Sequence, residues 1–106
     1  MKLTKPTDAQ LNAAFAEKVC GWRRLPMDQI VFEVPATGAC GTPPDFVNSA
    51  DAVLPWLMKY HWEVFNYVGE NRIAVYLEEQ WDGEAKTFPK AAVIALLRAH
   101  GVEVEL

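Results

Sequence analysis

The chain has 106 residues, of which 51% are hydrophobic and 23% charged, and a formal net charge of -4. That balance excludes a disordered chain, and the length is that of one small domain built on one core. The acidic excess argues against a general nucleic-acid surface, which needs clustered lysine and arginine.

The N-terminal Met1-Lys2-Leu3-Thr4-Lys5-Pro6 has no apolar run, so no signal peptide is expected. Thr7, followed three residues later by Gln10, fits a capping box and starts a helix near Thr7 or Asp8, spanning about 8–20. Leu11, Ala14, Phe15 and Val19 fall at helical spacing and form one apolar stripe. Gly21 sits where a helix ends in a left-handed conformation that glycine adopts cheaply. Trp22 can then fold back on the stripe. Ile30–Val34 is a β-prone run ended by Pro35. From Pro35 to Phe46, three prolines and two glycines exclude regular structure. Such a long loop is either functional or a tolerated surface excursion.

A second helix, about 50–60, starts near Asn48 or Ser49, both good caps. Its apolar face is Val53, Leu54, Leu57 and Met58. Pro55 kinks it if it begins at Ala50; otherwise the helix begins nearer Ala52. The strongest β signal is a hairpin over about 62–79: Trp62–Val68, a turn at Gly69-Glu70-Asn71, then Arg72–Glu78. In its second strand Ile73, Val75 and Leu77 share one face, and Arg72, Ala74, Tyr76 and Glu78 the other. Asp82-Gly83 reads as another turn. The third helix covers about 88–100, with Pro89 in its first turn and Ala92, Val93, Leu96 and Leu97 as its buried stripe. Arg98 and His100 put positive charge at its C-terminal end, and Gly101 stops it. Val102–Leu106 alternates like a strand. The order predicts an α+β fold: a small antiparallel sheet covered by amphipathic helices, in one domain over 1–106. The helices lie on both sheet faces, or one packs on a second subunit.

No catalytic pair is brought together by spacing, so no enzyme is expected; an enzyme using the loop residue Cys40 would need a depressed thiol pKa. Cys20 reads as a core residue. Two cysteines make no disulfide framework, which points to a reducing, cytoplasmic setting. There is no Cys-x-x-Cys or His-x-x-x-His, so no metal is expected, and His61 and His100 read as structural. No membrane span and no cofactor motif is visible. The aromatics are numerous, with four Trp, three Tyr and five Phe. Arginines lie near several of them. Arg23, Arg24, Arg72 and Arg98 are the candidates for anion contacts, and Trp22, Phe65, Tyr67, Tyr76 and Trp81 for base stacking. The competing reading makes the aromatics core and the arginines solvated. Trp56, Tyr60 and Trp62 could instead form a protein–protein surface.

Three stretches resemble the phage ABA-sandwich domain family. Leu11–Trp22 looks like that family's opening helix with its Glu-Lys-Val-x-Gly-Trp end; the central helix and aromatic hairpin follow; and Thr87–Gly101 is similar to its closing helix. The resemblance implies a phage or prophage protein of helix–sheet–helix layering in a bacterial host cell. It also points to an anti-defence group of this kind of fold, which sequesters cyclic nucleotide-type immune signals without turnover. The expected partner is therefore a small anionic nucleotide-like ligand, bound by a homo-oligomer. The alternative is a protein–protein interaction module of phage origin.

Overall fold

Thr7 opens the first helix as predicted. Its hydroxyl accepts from the Gln10 N–H at 3.2 Å, and the Gln10 side chain accepts from the Thr7 N–H at 2.9 Å. The computed structural model describes residues 1–26 and 30–106. Helix α1 runs over Asp8–Ala14 and then widens into a single π turn, Phe15–Val19, in which the Cys20 N–H donates to the Phe15 carbonyl at 3.0 Å. The expected helix is therefore continuous in path but not in pitch. The wide turn lets Phe15, Ala16 and Val19 all face the core with Leu11 and Ala14. Gly21 takes a φ of +72°, and the Trp22 N–H reaches back to Ala16 at 2.9 Å.

Among the described residues, eight strands form three small sheets. Strands β1 (Lys2–Thr4) and β8 (Glu103–Glu105) pair in parallel. Strands β2 (Arg23–Arg24), β3 (Phe32–Glu33) and β4 (Cys40–Gly41) form an antiparallel set. The long loop thus contains structure that its prolines hid. Thr37 and Gly38 turn the chain, the Val34 N–H donates to the Ala39 carbonyl at 2.9 Å, and Cys40–Gly41 pairs back on β3. Its far end is core: Phe46 is buried, its ring 4.4 Å from that of Phe15 and 6.0 Å from that of Trp22. The loop end is latched by Asn12, which donates to the Asp45 carboxylate at 2.9 Å and accepts from the Val47 N–H at 3.0 Å. Hydrogen bonds from Asn48 and then Asn12 hold the Asp45 carboxyl below its ordinary pKa. A depressed carboxyl contributes stability above its unfolded pKa and loses it as pH falls through the folded one. The melting-temperature gap between the natural chain and Asp45→Asn is expected to be full at neutral pH and to close in acid.

The third sheet has the order β5 (Trp62–Tyr67), β6 (Arg72–Leu77), β7 (Trp81–Ala85), all antiparallel. β7 is a correction: Asp82-Gly83 lies within a strand, and the turn falls earlier, at Glu78-Glu79. Helix α2 (Ala50–Leu57) is capped by the Ser49 hydroxyl, which accepts from the Ala52 N–H at 3.2 Å. It starts at Ala50 with Pro55 inside and ends within a turn of it. Met58 falls past the helix end and is exposed, leaving the predicted apolar face to Val53, Leu54 and Leu57.

Helix α3 (Phe88–Ala99) organises the rest. Its residues 91–97 are all buried, so it is apolar on every side rather than along one stripe. It packs on β6 and β7, and also on α1, α2, the π turn and a 3-10 turn at Phe46–Asn48. Gly101, at a φ of +83°, ends it, with Val102 donating to Leu97 at 3.0 Å. Burial, then Lys59, push the His100 imidazole below its ordinary pKa, so the dipole role expected of it falls to Arg98 alone. The α+β class is the one expected. The helical cover is one-sided: α3 lies on one face of the β5–β6–β7 sheet with α1 and α2 behind it. Among the described residues, no helix covers the other face.

Candidate functional site

Four of the sequence-derived candidates meet on that open face. Alternation puts Glu63, Phe65 and Tyr67 of β5 outward, beside Tyr76, Ala74 and Arg72 of β6 and then Asp82 and Glu84 of β7. Ala74 is small and fully buried, so it forms a floor over which the larger side chains stand. Phe65, 47% exposed, meets the Tyr76 ring edge-on with centroids 5.5 Å apart. A cavity of about 350 Å³ opens here, lined by His61, Glu63, Phe65, Tyr67, Tyr76 and Glu79.

The face is electrostatically acidic. Arg72 stacks 4.0 Å from the centre of the Tyr67 ring. Its charge is already matched, by Glu84 at 2.8 Å and Glu70 at 3.2 Å, and these two carboxylates raise its pKa further. The Tyr76 phenol is held above its ordinary pKa, first by the neighbouring Tyr67 hydroxyl, then by desolvation, with Glu84 and Asp82 adding.

The turn beside the cavity is unusual. The Gln80 N–H donates to the Leu77 carbonyl at 2.9 Å across Glu78 and Glu79, whose φ values are +53° and +58°. Two positive φ angles make this a type I′ turn, which ordinarily selects Asn-Gly. Glu78 has a local use, since its carboxylate accepts from the His61 N–H at 2.8 Å. Glu79 lines the cavity instead. Glu79→Gly is expected to relieve the left-handed backbone and raise stability by roughly 0.5–1 kcal/mol, read as a rise of a few degrees in melting temperature.

Of the nine residues predicted to bind, Phe65, Tyr67, Arg72 and Tyr76 share this face. The others lie elsewhere. Trp22 packs on Phe46. Arg23 is paired with Glu33 across β2 and β3 at 2.9 Å. Arg24 borders a separate depression with Glu17 and Met1. Trp81 lies on the inner face of the sheet, against the core. Arg98 donates to the carbonyls of Asp82 and Val104, each at 2.8 Å, and so ties β7 and β8 to α3. Sequence reasoning missed Glu63 and Glu79. Glu63 was visible in the alternation with Phe65 and Tyr67, but Glu79 depends on the unexpected turn. Cys20 carries no nucleophile at neutral pH, because burial, opposed only by Lys59, pushes its pKa up to about 12. Among the described residues, no group of three His, Cys, Asp or Glu could hold a metal, and no helix is long and apolar enough to cross a membrane.

No protein-family model matches the chain, and comparison with curated proteins gives no match. Comparison with solved structures does give a match. The fold is similar to that of a phage protein from Bacillus cereus ATCC 14579. The match has a TM-score of 0.74 and covers 99% of this chain and 97% of that one. At 15% sequence identity the likeness shows the fold alone.

Proposed function

We propose that the chain is a non-enzymatic binding protein of phage origin, and that its working surface is the open face of β5 and β6, where it docks another protein. The observation that carries this is the set of partly exposed rings of Phe65, Tyr67 and Tyr76 on a sheet face that no described helix covers. Ring-bearing patches of this kind anchor protein interfaces, because Tyr and Phe bury much area at little cost in side-chain freedom. Phage origin draws support from the shared fold of the Bacillus cereus phage protein; kinship with ABA-sandwich proteins rests on the resemblance of the opening helix, hairpin and closing helix.

A second reading keeps the same cavity for a nucleotide-type signal. The flat faces of Phe65 and Tyr76 favour it, since bases stack on such rings. Phosphate fits poorly: Glu63 and Glu79 line the cavity, and Arg72 is already matched by two carboxylates. The two readings part in a thermal-shift panel of cyclic nucleotides and ADP-ribose isomers run beside a peptide array. Docking predicts no nucleotide shift, with peptides retained by the natural chain and lost by Phe65→Ser. A nucleotide that raises the melting temperature by several degrees at a hundredfold excess over its Kd would sink the docking reading.

A further inference from the structure

Resting on the docking reading above, we propose that β5 accepts an extended, basic segment of a partner protein as an added strand. Among the described residues, the sheet order leaves β5 with β6 as its one neighbour. Hydrogen-bonded pairs alternate along an antiparallel ladder, and the Glu78 N–H donating to the His61 carbonyl at 2.8 Å sets the phase. Glu63, Phe65 and Tyr67 then turn their backbone groups to β6. Trp62, Val64 and Asn66 turn theirs to the open edge. The Asn66 carbonyl is taken by the Val68 N–H at 3.1 Å, which ends the free stretch.

Edge strands ordinarily carry lysine, proline or a bulge to block such pairing. Trp62-Glu63-Val64-Phe65-Asn66-Tyr67 has neither lysine nor proline, and its register with β6 is unbroken over six residues. An incoming strand would set alternate side chains beside Glu63, Phe65 and Tyr67 on the outer face. The others would lie beside Val64, which is 47% exposed on the opposite face. Among the described residues, neither Glu63 nor Glu79 is ion-paired. Lysine or arginine on the outer register would meet these carboxylates and lie over the rings, while aliphatic residues would cover Val64. A second copy of the chain would bring the same carboxylates together, so charge complementarity selects a basic partner over self-pairing.

The test uses the full chain and three ten-residue peptides: alternating Arg-Val, alternating Glu-Val, and the Arg-Val peptide with proline at its central valines. Calorimetric titration is expected to show the Arg-Val peptide binding at least about tenfold more tightly than either control, with affinity falling as salt rises. Its binding should slow amide exchange at Val64 and Asn66. Val64→Pro should abolish binding without breaking β5 from β6, since the Val64 N–H points away from β6. Should that variant misfold, Val64→Lys provides the block by putting a cation on the edge. Equal affinity for the Arg-Val and proline peptides, with unchanged exchange at Val64 and Asn66, overturns strand addition; the docking reading then survives if Phe65→Ser still weakens binding. No binding by any peptide, or binding indifferent to both Phe65→Ser and Val64→Lys, overturns both. A peptide-free dimer that Val64→Lys dissolves overturns the basic partner in favour of a second copy.

Discussion

Gly83→Ala is expected to destabilise the protein by about 3 kcal/mol or more, or to prevent folding. A Cβ at Gly83 would collide with the Ala91 carbonyl oxygen, stand 2.6 Å from the Ala95 backbone nitrogen and 3.1 Å from the Ile94 Cβ. The first two are backbone atoms of α3 and cannot swing aside as a side-chain tip can. Relief requires moving the whole helix off β7, which would open the contact on which the sheet and helix layers depend. Ala91, Ala92 and Ala95 are small on this stretch, and all three are fully buried. The close approach therefore comes from both sides: no side chain on β7 at this point, and methyl groups on α3. Chemical or thermal denaturation reads the effect, with a fall in melting temperature on the order of 12 °C or more. Gly101→Ala makes the contrast. It sits in open space at a φ of +83°, so its cost is confined to backbone strain, about 1 kcal/mol.

Phe15→Ala is expected to cost about 4 kcal/mol. Phe15 is fully buried in the π turn, with Phe46 at 4.4 Å and Trp56 edge-on at 6.5 Å between ring centroids. Removing it takes away a ring that joins α1, the end of the long loop and α2. The void cannot collapse easily, because α3 packs against the π turn and is itself enclosed on all sides. Phe15→Leu should recover more than half of the loss. Equilibrium urea unfolding measures both, and an unchanged denaturant slope shows that the native state has kept its compactness.

The helices and the hairpin were legible because their signals are local. The Thr7–Gln10 box, the Ser49 cap and the glycines at 21 and 101 each act within a turn of themselves. β7 was not legible, since Asp82-Gly83 carries a turn dipeptide. Its glycine is required by the approach of α3, a partner that composition alone does not disclose. Cys40–Gly41 was hidden for the same reason: it is held by pairing with β3, against the preference of its own prolines and glycines. Strand β1 exists because β8 lies beside it, at the far end of the chain. The candidate site was half legible. Alternation along β6 set Arg72 and Tyr76 on one face, and it is the register of the pairing with β5, which no local signal discloses, that brings Phe65 and Tyr67 beside them. Arg98 looked available for a ligand, but two backbone carbonyls occupy it. Sequence lists the donors without saying which acceptors the fold will bring to them.

The enclosed position of α3 also bears on how the chain is made. Strands β5 to β7 and α3 are contiguous, so their contacts close short loops and form with little loss of chain entropy. Phe15 and Phe46 lie in the first half of the chain, yet the turns that carry them pack against α3. On the ribosome those rings emerge well before the helix that covers them. Until α3 follows, those rings lack their cover, the stage at which chaperone capture competes with folding.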